Sequence, residues 1–269
     1  MPELPEVETT RRGIEPHVLG RRIEGWIIRD RRLRWPVKLP RSLRGQTIER
    51  VARRAKYLGL LTGSGGLIVH LGMSGSLRYV PRERAIGAHD HVDLLFDGGG
   101  CLRYTDPRRF GSIHFQPGDW REHWLLASLG PEPASAEFDA SYLHRRSRKK
   151  RVAVKNFLMD SRIVVGVGNI YANEALFEAG VRPTRAAGRL TLAECARIAA
   201  AVRETLTRAI EEGGTTLRDF VGSDGRPGYF GERLAVYGRE GERCVRCGAR
   251  LKALRIGARA TVYCASCQR

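Results

Sequence analysis

The chain has 269 residues, 42% of them hydrophobic and 28% charged, and its 47 Lys plus Arg against 29 Asp plus Glu leave a formal charge of +18. That composition is enough for one large or two ordinary hydrophobic cores and excludes a disordered chain or a coiled-coil rod. No run approaches the roughly 18 consecutive apolar residues of a membrane-spanning helix, so the positive charge calls for a polyanionic partner instead.

The chain opens Met1-Pro2-Glu3-Leu4-Pro5-Glu6, acidic and proline-broken where a secretory signal is basic and then apolar. This points to a cytoplasmic protein that engages no membrane. If Met1 is removed, Pro2 presents a secondary amine that titrates near pH 8, so part of it is unprotonated and nucleophilic at neutral pH. Attack on an aldehyde-like sugar carbon gives an iminium, an electron sink suited to lyase chemistry. Glu3 beside it and Glu6 one helical turn on supply carboxylates for proton transfer and for positive charge on an opening sugar. The same residues also suit an ordinary helix entry with acids in its first turn. The spacing of Val7, Thr10, Arg11 and Ile14 predicts that helix from Pro5 to about Ile14.

Residues 23 to 117 read as β-structure, in short runs at Trp26–Ile28, Leu58–Leu61, Leu67–His70, Leu77–Val80, Val92–Phe96 and Ile113–Phe115. Asp97-Gly98-Gly99-Gly100 supplies the positive-φ residues of a tight hairpin turn, hence antiparallel pairing and a sandwich or barrel. After Gly130-Pro131-Glu132-Pro133 the pattern turns helical. The expected parts are an N-terminal β-sandwich domain over 1–132, a helical domain over 133–232 and a cysteine finger over 233–269.

The basic charge is clustered. Arg145, Arg146, Arg148, Lys149, Lys150, Arg151 and Lys155 fall within eleven residues that contain no acid, and residues 233–269 hold nine basic residues against Glu240 and Glu242. Phosphate backbone is the economical partner, with arginine-rich solvated loops the plainer alternative. Gly166-Val167-Gly168-Asn169 opens a helix but lacks the third glycine of a dinucleotide fingerprint, Tyr171 standing in its place. Thr191-Leu192-Ala193-Glu194 is a capping box that starts a helix carrying Leu192, Cys195, Ile198, Ala199, Val202, Leu206, Ala209 and Ile210 on one face, ended by Gly213-Gly214.

Six cysteines are too few for a disulfide scaffold, and four stand as Cys244-x2-Cys247-x16-Cys264-x2-Cys267. Two knuckles flanking a hairpin-length span form tetrahedral zinc spacing, and four thiolates leave no position for water, so one structural Zn2+ is expected. A redox pair or two disulfides fit the doubled spacing less well. Arg255 and Arg259 lie on the hairpin between the knuckles, while Cys101 and Cys195 sit in apolar patterns as packed thiols.

These features recur together in one family. Pro2-Glu3-Leu4-Pro5-Glu6-Val7-Glu8, Arg53-Arg54-Ala55-Lys56-Tyr57-Leu58, His70-Leu71-Gly72-Met73-Ser74-Gly75-Ser76-Leu77-Arg78, Tyr104-Thr105-Asp106-Pro107-Arg108-Arg109-Phe110-Gly111, Val164-Val165-Gly166-Val167-Gly168-Asn169-Ile170-Tyr171 and the four terminal cysteines run collinearly over essentially the whole chain. The sequence resembles the bacterial formamidopyrimidine-DNA glycosylases. The resemblance implies an α+β protein: an N-terminal β-sandwich with an N-terminal helix, a C-terminal helical domain with a helix-two-turn-helix, and a C-terminal zinc-finger β-hairpin with four cysteine ligands. It also implies a monomeric repair enzyme that excises 8-oxoguanine and formamidopyrimidines from double-stranded DNA and then cuts the strand by β,δ-elimination.

By that resemblance Pro2 is the Schiff-base nucleophile, Glu3 the general acid, Glu6 a supporting carboxylate, and Lys56 and Arg259 the residues of β- and δ-elimination. A base inside a duplex is out of reach, so the nucleotide must be flipped and the gap filled. Met73, Arg108 and Phe110 match that wedge, with Arg108 also a contact to the orphaned base. Without the family, Met73 and Phe110 read as core residues and Lys56 as a solvated residue before a strand. His89, Lys150 and Asn169, with Lys155 added, match phosphate contacts. Thr215, Thr216, Ser223 and Tyr229 fall in a stretch that resembles the loop covering the everted base, or else an ordinary connector.

Two other readings are open. An endonuclease VIII-like enzyme for oxidised pyrimidines shares Pro2, Glu3 and the finger, but the full N-terminal motif and the Asp106-Pro107-Arg108-Arg109-Phe110 wedge oppose it. A non-catalytic zinc-hairpin binder explains the charge and the cysteines but leaves Pro2, Glu3 and Lys56 coincidental.

Overall fold

The computed structural model describes residues 2–215 and 233–269. The chain divides into two compact units, one holding residues 2–127 together with residues 212–215, the other Ser128–Glu211 together with residues 233–269.

The first unit opens with helix α1, Leu4–Val18, one turn longer than the expected end at Ile14. The extra turn buries Val18 at 0% exposure, and Pro16 is tolerated because it falls in the last turn, where only one intrahelical bond is lost. Eight strands follow: β1 Ile23–Ile28, β2 Arg50–Arg54, β3 Tyr57–Thr62, β4 Gly65–His70, β5 Ser76–Pro81, β6 Asp90–Phe96, β7 Gly100–Thr105 and β8 Ser112–Pro117. They form two antiparallel sheets in the orders β1-β6-β7-β5 and β2-β3-β4-β8. Val51, Leu58, Leu60, Leu67, Val69 and Ile113 from one sheet meet Ile23, Leu77, Val92, Leu94, Leu102 and Tyr104 from the other, with Val7, Ile14 and Val18 of α1 closing the core. The expected sandwich is the observed one. Gly98 and Gly99 both take positive φ between β6 and β7, as the hairpin turn requires.

β2 and β7 lie outside the apolar runs of the sequence. β7 carries Arg103 into the interior at 4% exposure, where Asp93 on β6 accepts from its Nε and Nη2 at 2.9 and 3.0 Å. A buried cation breaks the apolar pattern but not the fold, because its partner is buried with it.

After the short helix α2, Trp124–Ala127, the second unit holds α3 Ala140–Ser147, α4 Val154–Met159, α5 Asn169–Glu178 and α6 Leu192–Glu211. Thr191 and Glu194 exchange the bonds of the expected capping box at the start of α6. The chain ends in the hairpin β9 Lys252–Ile256 and β10 Arg259–Tyr263, turned at Gly257 and Ala258, both at positive φ. Among the described residues no helix is long and apolar enough to cross a membrane.

Candidate active site and nucleic-acid interface

Pro2 precedes Glu3, which enters α1 as extended chain and is buried at 2% exposure. Glu6, fully buried, holds this entry from below: its Oε2 accepts from the Glu3 amide at 2.7 Å, and the Glu3 side chain in turn receives the Glu6 amide. Its second oxygen accepts from the Thr215 amide at 2.9 Å. One buried carboxylate therefore fixes both Glu3 and the point at which residue 215 returns to this unit. Gly214 permits the approach, since a Cβ there would stand 3.1 Å from Glu6 Oε1 on a backbone at φ +84. Thr216, Ser223 and Tyr229 lie outside the described residues.

Lys56 sits on the turn between β2 and β3, next to Ala55 at φ 55. Arg53 braces that turn: its Nη1 donates to the Ala55 carbonyl at 3.0 Å and its Nε to Glu8 on α1 at 3.0 Å. Across the sheet His70 pairs with Tyr57, and its Nδ1 accepts from the Gly72 amide at 3.1 Å, which leaves the proton on Nε2. Burial first, then the charge of Lys56, lowers the His70 pKa to about 4, so the ring is a neutral donor at physiological pH.

Met73 is half-buried, Arg108 exposed and Phe110 46% exposed, so none is a core residue. The Arg108 guanidinium lies 5.0 Å from the Phe110 ring centroid. Exposed apolar surface beside a cation is what a wedge between base steps needs. His89 is exposed, and its carbonyl accepts from the Asp106 amide at 3.0 Å.

In the second unit Lys150 is exposed, and Asn169 is the first residue of α5, directly after Gly168. Arg255 and Arg259 are exposed on the terminal hairpin. Lys155 departs from expectation. It is 0% exposed, and its Nζ donates to the Ala260 carbonyl and to Thr261 Oγ1, both at 2.7 Å. In this structure the ammonium braces β10 from inside instead of facing solvent. Sequence reading passed over two further buried polar residues, one holding β10 and one holding residues 235–237. Asn173 accepts from the Val262 amide at 3.0 Å, and Glu174 accepts from the amides of Ala235, Val236 and Tyr237 at 2.8 to 3.0 Å. Polar residues at buried helix positions, as Asn173 and Glu174 are, were the available signal.

The sulfurs of Cys244, Cys247, Cys264 and Cys267 lie within 4.8 Å of one another, with Cys244 to Cys267 at 3.9 Å and Cys247 to Cys264 at 3.5 Å. A tetrahedron with Zn–S arms of about 2.3 Å has edges near 3.8 Å, so the donor set fits zinc and leaves no position for a fifth ligand. None of the four is in a disulfide. Four thiolates this close repel one another strongly and need a cation among them. Cys101 and Cys195 are buried packed thiols, Cys195 raised by burial to about 11.

Comparison with known proteins bears on the whole of this arrangement. Residues 1–113 match the formamidopyrimidine-DNA glycosylase N-terminal domain, 129–221 the H2TH domain of the same enzymes, and 241–269 the zinc finger found in FPG and IleRS. The formamidopyrimidine-DNA glycosylase of Alkalilimnicola ehrlichii is 59% identical over the full length of both chains. The chain belongs to the formamidopyrimidine-DNA glycosylase family. Its fold class, the sandwich, helical region and four-cysteine hairpin, is that of the family, and so is its one structural zinc. The MutM (Fpg) protein of Thermus thermophilus superposes with a TM-score of 0.88 at 41% identity, covering 99% of this chain and 98% of that one. The Lactococcus lactis Fpg in complex with DNA containing an abasic site gives 0.89 at 32% identity, with 99% of each chain covered. A complex of a variant of that Fpg with DNA containing Fapy-dG gives 0.91 at 32% over all of both chains.

Proposed function

We propose that this protein is a bifunctional DNA glycosylase and abasic-site lyase that removes 8-oxoguanine and formamidopyrimidines from duplex DNA in base excision repair, acting as a monomer in the cytoplasm and associated with the nucleoid through DNA. The observation that carries the reading is family membership over the full length at 59% identity, with both carboxylates of the N-terminal motif gathered at the start of α1.

Three parts divide the work: catalysis in 1–132, backbone binding in 133–232 and the finger in 233–269. With Met1 removed, the Pro2 nitrogen attacks the sugar C1′ and gives up its proton, and the base departs with the glycosidic electron pair and takes up a proton. Glu3 delivers a proton to the ring oxygen as the sugar opens, leaving an iminium on Pro2. Glu6 keeps Glu3 in place through its amide. Loss of the C2′ proton then expels the 3′ phosphate, assisted by Lys56, and Arg259 serves the second elimination and its phosphate. His89, Lys150 and Asn169 hold the backbone, and Met73, Arg108 and Phe110 fill the gap left by the flipped nucleotide. Residues 215, 216, 223 and 229 belong to the stretch that reads the everted base. Bound at the four cysteines, zinc supplies a rigid junction for the hairpin that bears Arg259.

The test is covalent trapping with borohydride on an 8-oxoguanine duplex. Wild type should yield a stable protein–DNA adduct, and Pro2→Gly should reduce adduct and strand cleavage together by at least about 100-fold, as loss of a covalent nucleophile does. An undiminished adduct, or active protein that retains Met1 by mass spectrometry, refutes the nucleophile. Preferential trapping on oxidised pyrimidines would favour the endonuclease VIII-like alternative.

A further inference from the structure

Two separate loops carry the three wedge residues: the turn after β4 bears Met73, and the segment between β7 and β8 bears Arg108 and Phe110. Between them lies a carboxylate that no proposed step uses. Asp106 is 0% exposed. Its Oδ1 accepts from Ser74 Oγ at 2.8 Å and shares the Arg108 amide with Ser74 Oγ, at 3.3 and 3.2 Å. Its Oδ2 accepts from the Gly111 amide at 2.9 Å and shares the Tyr104 hydroxyl, 3.3 Å away, with the His70 carbonyl at 3.2 Å. Donors from Ser74 beside Met73, from Gly111 beside Phe110 and from Arg108 itself, with the Tyr104 hydroxyl of β7, thus converge on one side chain.

The backbone of Asp106 extends the same junction. Its amide donates to the His89 carbonyl at 3.0 Å, and its carbonyl is 2.8 Å from His91 Nε2. Close backbone contact between the loops is possible only because both positions are glycine. A Cβ on Gly72, at φ +67, would lie 2.4 Å from the Gly111 amide nitrogen, and one on Gly111 would lie 1.7 Å from the Tyr104 hydroxyl. Burial, and next the charge of Asp106, raises the Tyr104 phenol well above its ordinary value, which keeps it a donor.

We propose that Asp106 is the positioning residue of the wedge, locking the Met73 turn and the Arg108–Phe110 loop into one rigid body before DNA arrives. The inference rests on the wedge reading of Met73, Arg108 and Phe110. Inserting side chains into a base stack must offset the cost of unstacking, and any rotamer or loop entropy lost at that moment adds to it. A preassembled wedge has lost that entropy already, during folding. A carboxylate is needed because it only accepts. An asparagine places an NH2 group against one of the two oxygens' partners. Ser74 or Tyr104 can rotate its hydroxyl to accept, but the amide of Arg108 or Gly111 cannot, so one loop is left opposed by a donor.

The experiment compares Asp106→Asn with wild type on two substrates. One is a duplex containing 8-oxoguanine, which demands flipping and gap filling. The other is a single-stranded oligonucleotide with an abasic site, which has no stack to open and no orphaned base. Single-turnover excision from the duplex should fall roughly 10- to 100-fold, the scale of a misplacement near 1 Å, while cleavage of the single strand stays within about twofold. A 2-aminopurine next to the lesion should lose the fluorescence change that reports unstacking. Ser74→Ala, which removes one donor to Asp106 and one acceptor of the Arg108 amide but no charge, should move the duplex rate in the same direction by a smaller factor, and it stands in if the asparagine variant fails to fold. Duplex and single-strand rates falling together, or a duplex rate that does not change, would overturn the assignment. Failure of wild type itself to excise 8-oxoguanine would instead overturn the functional reading on which it rests.

Discussion

Lys155 shows why a basic residue in a basic cluster need not face the solvent. The sequence places it among seven cations without an acid, yet its ammonium is buried against the Ala260 carbonyl and Thr261 Oγ1. Arg259 is two residues from Thr261 on the same strand, so the brace sits directly beside the proposed elimination residue. Lys155→Met keeps the length and apolar stem but leaves the buried Thr261 Oγ1 without this donor, at a cost of about 1–3 kcal/mol measured by urea denaturation. The slope of DNA affinity against salt should be unchanged in that variant. Lys150→Ala should do the reverse, with stability intact and a slope smaller by about 0.9, the signature of one lost phosphate contact. A second residue-scale effect comes from the imidazoles. His114 stacks obliquely on His123 with centroids 4.9 Å apart, and burial first, then the charge of His123, lowers its pKa to about 4. Because the folded ring resists protonation while the unfolded one titrates near 6.5, the stabilising contribution is complete above about pH 6.5 and disappears as pH falls toward 4. His114→Gln should therefore lose less of its urea midpoint between pH 7 and 4.5 than wild type does. His70, also lowered to about 4, preserves part of the slope. Equal losses in the two proteins would disprove the His114 contribution.

At the scale of elements, the terminal hairpin is the clearest case of a fold that needs its metal. β9 and β10 are five residues each, paired in register from Lys252–Tyr263 to Ile256–Arg259, and an isolated two-stranded hairpin is marginal in water. Chelating the zinc should weaken DNA binding by at least about 10-fold while the thermal transition of the β-sandwich is retained, since that core contains no metal ligand. Undiminished affinity in the apoprotein would remove the finger from the interface. This element was fully legible in the sequence, because four cysteines at fixed spacing specify a geometry without reference to the rest of the chain. The sandwich was legible as a class but not strand by strand. β2 is Arg50-Val51-Ala52-Arg53-Arg54, and its strand character comes from pairing with β3 and from Arg53 reaching Glu8, neither of which alternation encodes. The site divides in the same way. Pro2, Glu3 and the proposed wedge residues could be named because linear motifs of the family carry them. The clamp of Glu6 on Thr215 spans 209 residues and the junction at Asp106 spans 32, and such convergence exists only once the chain has folded.

Over the whole molecule, the formal charge of +18 is unevenly offset. Many acids are bound to nearby arginines: Asp30 with Arg32 and Arg109, Asp93 with Arg29 and Arg103, Asp119 with Arg121. The run from Arg145 to Lys155 has no acid of its own, and the last 37 residues have only Glu240 and Glu242. A phosphate backbone bound there releases its condensed counterions, so affinity should fall linearly on a log–log plot against salt. About six neutralised phosphates give a slope near −5 and roughly a thousandfold loss between 50 and 200 mM. Phosphates are the same in damaged and intact DNA, whereas the everted base is not. Duplexes with and without 8-oxoguanine should therefore give parallel lines in a fluorescence anisotropy titration, displaced by a constant ratio at every salt concentration. A slope shallower than about −2 would mean that the basic clusters are not the footprint, and lines that converge as salt rises would mean that lesion recognition itself depends on the phosphate contacts.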